Sequence, residues 1–235
     1  KSSLVGLLLG WQRAASGQLL VDGAPLDGSR LLALRRMTAW VDPAIQLWNR
    51  TLFANLTYGA QSPGDSVARL GAEPPALDMT AVLDGADLYD VLEKLPAGLQ
   101  TPLGENGGLV SGGEGQRVRL GRALLRSGVR LAILDEPFRG LDRGKRQQLL
   151  RNARAHWQGA TLLCVTHDIS ATQDFTRVLV LEEGQIVEDG APATLLAQPQ
   201  SRYQALLTAE ATVRQSLWTG RNWRRLWLAD GALRE

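Results

Sequence analysis

The sequence has little of what builds cross-linked or membrane-crossing chains. It has one cysteine, Cys164, which excludes an internal disulfide and fits a reducing compartment. No apolar run approaches the roughly 20 residues that cross a bilayer, and no signal peptide is visible. With only two histidines in the chain, a histidine is more readily structural than a ligand. The formal net charge is only +2, without the concentrated basic face of a nucleic-acid binder, so no nucleic-acid partner is expected. What positive charge there is gathers at the end, where Arg214, Arg221, Arg224, Arg225 and Arg234 face only Asp230 and Glu235. There is no internal repeat and no low-complexity tract.

What is present is 235 residues, enough for one large domain or two small ones, with a 44% apolar content that can bury a real core. Lys1-Ser2-Ser3-Leu4 runs straight into the apolar stretch Val5 to Leu9, as the inside of a domain does. The spacing of Leu4, Leu7 and Leu8 predicts a helix over 3–12. Gln18 to Val21 reads as a strand closed by Asp22-Gly23, and Leu31 to Met37 as a helix. Ala39 to Val41 reads as a strand stopped by Asp42-Pro43. Residues 61–65 and 71–78, rich in Gly, Pro and Ala, read as loops or helix ends. Ala81 to Leu95 has a helical apolar pattern, and a basic helix is expected from about Gln116 to Arg126. Arg130 to Leu134 and Thr161 to Val165 are apolar strands on either side of a helix over Lys145 to Trp157. Ser170 onward looks helical, and Val178–Leu181 and Gln185–Val187 flank a hairpin turn. Strands that are apolar throughout and separated by helices argue for a parallel sheet covered on both faces.

Four segments carry chemistry. Leu131 to Glu136 is an apolar strand ending in two carboxylates, at the strand end where open α/β sheets bind ligands. Asp135 is placed to hold Mg²⁺ and Glu136 to take a proton from water, although either could simply cap the next helix. In Val110-Ser111-Gly112-Gly113-Glu114-Gly115-Gln116-Arg117 the glycines let backbone approach a phosphate at a helix start. Ser111 and Glu114 also have capping-box spacing, but capping alone does not need two consecutive glycines. Thr161 to Asp168 is a second buried strand, ending in His167. Lys1-Ser2-Ser3 is the kind of segment in which a lysine reaches β- and γ-phosphates and a hydroxyl ligates Mg²⁺.

In this order, from Lys1 to about residue 198, these segments resemble the ATP-binding-cassette (ABC) ATPases. Lys1 to Leu4 is similar to the end of a Walker A loop and Ser111 to Gln116 to the signature loop. Leu131 to Glu136 resembles Walker B, Arg139-Gly140-Leu141-Asp142 the D-loop, and His167 the switch histidine. Thr101 to Gly107, Leu47 to Leu56 and Leu95 to Gly98 resemble exporters within that family. The resemblance implies an α/β, P-loop NTPase-like fold: a mostly parallel sheet flanked by helices, with a helical subdomain and a partial antiparallel β subdomain. The division implied is 1–58 and 128–199 for the ATP-binding core, 59–127 for the helical subdomain and 200–235 for a basic, tryptophan-containing tail.

The resemblance further implies ATP hydrolysis coupled to export, with Mg²⁺ as cofactor. Glu136 and His167 would be catalytic. Lys1, Ser2, Ser3, Ser111, Gly112, Gly113, Glu114 and Asp142 would bind ATP, and Ser2, Asp135 and Asp42 would hold the metal. Partners would be ATP, the transmembrane domains of an exporter and a second nucleotide-binding domain in a head-to-tail dimer, at the cytoplasmic face of the cell membrane, in bacteria the inner one. The other readings are a non-hydrolysing regulatory half of a heterodimeric transporter and a soluble, non-transport ABC ATPase.

Some positions depart from the family pattern. Pro43 stands at the usual Q-loop glutamine, leaving Asp42 or Gln46 to replace it; Arg139-Gly140 replaces a small pair in the D-loop; Glu114 replaces the signature glutamine. The glycines of the phosphate loop would lie upstream of Lys1, so residues 1–235 alone are expected to bind ATP weakly or not at all and to be inactive. Trp218, Trp223 and Trp227, set among arginines, suggest either a membrane or protein contact, or rings packed back on the domain.

Overall fold

The computed structural model describes residues 1–42, 44, 46–60, 77–219, 227–229 and 232–234, with side chains through residue 216. Two compact units divide the chain, Lys1–His167 and Asp168–Glu235.

In the first unit, helix α1 (Ser2–Leu8) is followed by a two-residue hairpin, β1 (Leu20–Val21) and β2 (Ala24–Pro25), then α2 (Gly28–Arg36) and strand β3 (Thr38–Val41). Helices α3 (Leu52–Thr57), α4 (Met79–Gly85), α5 (Tyr89–Lys94) and α6 (Gly112–Leu124) come next. Strand β4 (Leu131–Asp135), helix α7 (Arg143–His156) and strand β5 (Thr161–Val165) complete the unit. The sheet runs β3-β4-β5, all parallel, with Trp40 beside Ile133 and Asp135 beside Val165. Successive side chains of a strand point to opposite faces. Ile133 accordingly meets Val5 and Leu9 on the α1 side, while Ala132 and Leu134 join a larger core with Leu52, Leu56, Leu88, Val118 and Leu149. The parallel, doubly covered sheet is therefore as expected, and it brings the C-terminal ends of all three strands to one edge.

In the second unit a 3₁₀ turn (Ile169–Thr172) leads to the antiparallel hairpin β6 (Val178–Glu182) and β7 (Gln185–Gly190), then α8 (Pro192–Ala197) and the 18-residue α9 (Arg202–Thr219). A last antiparallel pair, β8 (Trp227–Ala229) and β9 (Ala232–Arg234), follows. Val180, Leu195 and Tyr203 form this unit's own core.

Several elements differ from their expected extents. α1 stops at Leu8; the Arg35 Nε donates to the Leu9 carbonyl at 2.7 Å and so satisfies a carbonyl that a longer helix would have used. The strand expected from Gln18 shrinks to Leu20–Val21. The pattern over Ala81 to Leu95 is two helices, because Asp87 adopts φ 53° between them, yet Val82, Leu88 and Val91 all remain buried. The helix expected after residue 170 is only the short 3₁₀ turn, and α9 lies where a tail was expected. Pro43, residues 61–76 and the side chains of Trp218, Trp223 and Trp227 lie outside the described residues. Among the described residues no helix is long and apolar enough to cross a membrane.

Candidate nucleotide site

α1 docks on the sheet through Val5 and Leu9, which places its N-terminal end, with Lys1, Ser2 and Ser3 exposed, beside the carboxyl ends of β4 and β5. The Lys1 Nζ lies 3.2 Å from both the Nδ1 and the Nε2 of His167. The His167 Nε2 is 2.6 Å from the Glu136 Oε1. With Nε2 protonated, the imidazole donates to the Glu136 carboxylate, while the ammonium of Lys1, equidistant from both ring nitrogens, lies against the imidazole ring. Three residues some 30 to 170 positions apart in sequence thus form a chain of contacts. The Glu136 N–H is anchored on the Val165 carbonyl at 2.8 Å. Its backbone is left-handed, φ 43°, an uncommon conformation for a residue with a side chain.

Ser2, Ser3, Trp40, Asp42, Asp135 and Glu136 line one cavity of about 470 Å³. Asp42 directly follows β3, and its Oδ1 accepts the Ala44 N–H at 2.7 Å. The Asp135 carboxyl titrates above the usual aspartate range, first because burial disfavours its charge and then because Asp42 and Glu136 repel it, with Lys1 acting the other way. A crowd of carboxylates with a hydroxyl beside it is a hard-oxygen donor set suited to Mg²⁺. Among the described residues no three His, Cys, Asp or Glu side chains form a metal cage on their own.

Asp135 and Glu136 do not cap the following helix: Asp142 is the N-cap of α7, its Oδ1 accepting the Lys145 N–H at 3.0 Å. The capping box at α6 is present, with the Ser111 Oγ accepting the Glu114 N–H at 3.3 Å and the Glu114 Oε2 accepting the Ser111 N–H at 2.7 Å. Of the two glycines, Gly113 serves a separate need, while Gly112 has open space where a side chain would go. A Cβ on Gly113 would lie 2.5 Å from Leu141 Cδ2, so the signature-like loop packs directly on the D-loop-like segment.

The structure therefore makes two groups of the candidate residues. Lys1, Ser2, Ser3, Asp42, Asp135, Glu136 and His167 gather at the carboxyl ends of the strands. Ser111, Gly112, Gly113, Glu114 and Asp142 stand apart, around the starts of α6 and α7, and none lines the cavity. The cavity also uses Trp11 and Trp40, whose rings lie 4.7 Å apart and which sequence reasoning passed over. Trp40 could have been found from its alternation with Asp42 at the end of β3.

A parallel sheet whose strand ends meet the start of a Lys-Ser helix is the frame of a phosphate-handling, P-loop NTPase-like α/β domain. Comparison with known proteins gives the family. Residues 1–139 match the ABC transporter family. Over 199 residues the chain is 37% identical to an ATP-dependent lipid A-core flippase of Ralstonia nicotianae, covering 83% of this chain and 32% of that protein. It is 34% identical over 206 residues to the ABC transporter ATM1 of Toxoplasma gondii, covering 88% of this chain and 17% of that protein. A solved bacterial Atm1-family ABC exporter with ATP bound superposes on 90% of this chain and 35% of its own, with a TM-score of 0.77 and 29% identity. The chain belongs to the ABC transporter family. It spans about a third of the length of the bacterial flippases it matches.

Proposed function

We propose that this chain is the ATP-binding and ATP-hydrolysing domain of an ABC exporter, which couples hydrolysis to transport across the membrane from its cytoplasmic face. The observation that carries the reading is the Lys1–His167–Glu136 chain of contacts at the open ends of β4 and β5. Lys1 supplies positive charge for the β- and γ-phosphates, and the α1 N-terminus aims N–H groups the same way. Glu136 accepts the proton of a water whose oxygen attacks the γ-phosphorus, as the bond to the ADP oxygen breaks. His167 holds the Glu136 carboxylate at 2.6 Å and stays within reach of the γ-phosphate. Ser2, Asp135 and Asp42 are the residues that would hold Mg²⁺, which when bound offsets negative charge on the phosphate oxygens. Phosphoryl transfer relies mostly on positioning and charge, and these groups supply both.

The separation of the two groups of residues supports a head-to-tail dimer. In it, Ser111 to Glu114 of one chain cover the nucleotide held by Lys1 and Asp135 of the other, with Asp142 at the shared boundary. These residues would serve hydrolysis whatever the cargo, so they support a reaction class and not a substrate. Glu136→Gln in the full-length protein should lower the ATPase rate by about 100-fold or more, with ATP binding retained. An unchanged rate would remove Glu136 from the mechanism. A wild-type protein that binds ATP but shows no single-turnover hydrolysis would instead identify a regulatory, non-hydrolysing half, a reading that the altered Q-loop and D-loop segments permit while Glu136 and His167 weigh against it.

A further inference from the structure

Glu114 presents a difficulty at its position. It lies in the first turn of α6, where the N–H groups of Gly112 and Gly113 have no carbonyl four residues back within the helix and can receive phosphate. A carboxylate in that turn places negative charge where a triphosphate would approach and repels it. The structure supplies a counter-charge from another helix. The Lys94 Nζ, at the end of α5, lies 2.7 Å from the Glu114 Oε1, and the other carboxylate oxygen accepts the Ser111 N–H. Each partner holds the other's charge: Lys94 keeps the Glu114 carboxyl below the usual glutamate range, and Glu114 raises the Lys94 ammonium above the usual lysine value.

Lys94 is itself held in place. Asp90, one turn earlier on α5, is 4.0 Å away and clasps Arg117 of α6 in two bonds of 2.6 and 3.0 Å. Arg117 also bonds Asp87, which pairs with Lys145 of α7. Glu114, Lys94, Asp90, Arg117, Asp87 and Lys145 thus alternate in sign from the signature-like loop to the first turn of α7, which Asp142 caps. In the same loop, Gly113 rests on Leu141.

We propose that Lys94 is a positioning residue for ATP: it neutralises Glu114 and fixes the first turn of α6, so that the triphosphate held by the opposite chain meets the Gly112 and Gly113 N–H groups rather than an unbalanced negative charge. The inference rests on the ATPase reading given above. It is tested with full-length protein by measuring ATPase rate against MgATP concentration. K94A should raise KM by up to about five-fold, the scale of one partly exposed ion pair, with kcat changed less. The rise should be larger at low salt, where the repulsion is less screened. K94R should restore KM. In an E114Q background the K94A substitution should leave KM at the value of E114Q alone, because no carboxylate remains to neutralise. The Lys94 side chain is 64% exposed, so its truncation leaves no cavity in the core. A KM that rises equally in both backgrounds, a loss confined to kcat, or no effect of K94A would each overturn the proposal while the ATPase reading stands. A wild-type protein without ATPase activity would remove both together.

Discussion

At Asp135, burial and the two carboxylates of Asp42 and Glu136 act in the same direction, favouring the protonated acid. An acid whose folded-state pKa is raised costs stability at every pH above that value, and the cost is relieved as pH falls through it. The Mg²⁺ role proposed for Asp135 needs the ionised form. Mg²⁺-dependent ATP binding by the full-length protein should therefore weaken on acidification at a higher pH than an ordinary aspartate would dictate. Asp135→Asn should melt at a slightly higher temperature at neutral pH while losing Mg²⁺-dependent hydrolysis. A lower melting temperature for this variant would show that Asp135 is held by favourable contacts rather than by crowding. Other single residues carry structure that composition hides. Asn55 is fully buried, yet its amide donates to the carbonyls of Trp48, Arg50 and Thr51, and its oxygen accepts the Trp48 N–H at 3.0 Å. One polar side chain thus folds the loop before α3 onto the helix. Arg122 donates its Nε–H to the Asn55 carbonyl at 2.7 Å and lies 4.5 Å from the Trp48 ring centroid; burial lowers its pKa to about 10.

Among the elements, α6 is closely packed. It lies against α3 and α4, and at Gly121 the neighbours leave no room for a side chain: an added Cβ would lie 2.8 Å from Leu56, 3.1 Å from Leu88 and 3.3 Å from Val82. All three are fully or almost fully buried, so they cannot swing away into solvent. Gly121→Ala gains helix propensity but overpacks this contact, and should destabilise the protein by about 1–3 kcal/mol in denaturant unfolding. Unchanged stability would mean that Leu56 and Leu88 repack freely. Elements of this kind show what the sequence could and could not convey. β4 and β5 were legible because their apolar runs are unbroken and end in charge, and so was the placing of the candidate residues Asp135, Glu136 and His167 at those ends. The break between α4 and α5 was not, because the apolar periodicity continues across it and only the backbone of Asp87 departs from helix. The capping box of α6 was legible as spacing, but its link to Lys94 was not, because that pair joins positions 20 apart through tertiary packing. α9 escaped notice because its polar and apolar residues are interspersed without a clear stripe.

Among the described residues each of the two units has its own apolar core, and the two share no residue. One surrounds the parallel sheet and its helices in the unit Lys1–His167; the other gathers Val180, Leu195 and Tyr203 in the unit from Asp168. Tyr203 is the keystone of the second. Its side chain is 1% exposed, its hydroxyl is 2.9 Å from that of Thr172, and its N–H donates to the Glu188 Oε2 at 2.8 Å. Glu188 also accepts the Arg202 N–H, so the first turn of α9 is tied to β7 by a carboxylate that satisfies helix-start donors. Removing the ring should therefore act locally. Tyr203→Ala should cost about 3–5 kcal/mol of the second unit's stability, the scale of a buried aromatic cut back to alanine. In hydrogen exchange the amides of β6, β7 and α9 should lose protection, while those of β4 and α6 keep theirs, because local opening follows the boundaries of cooperative cores. If protection fell equally in both units, the two cores would be one cooperative body, and the strand ends that carry His167 would depend on the hairpin that follows them.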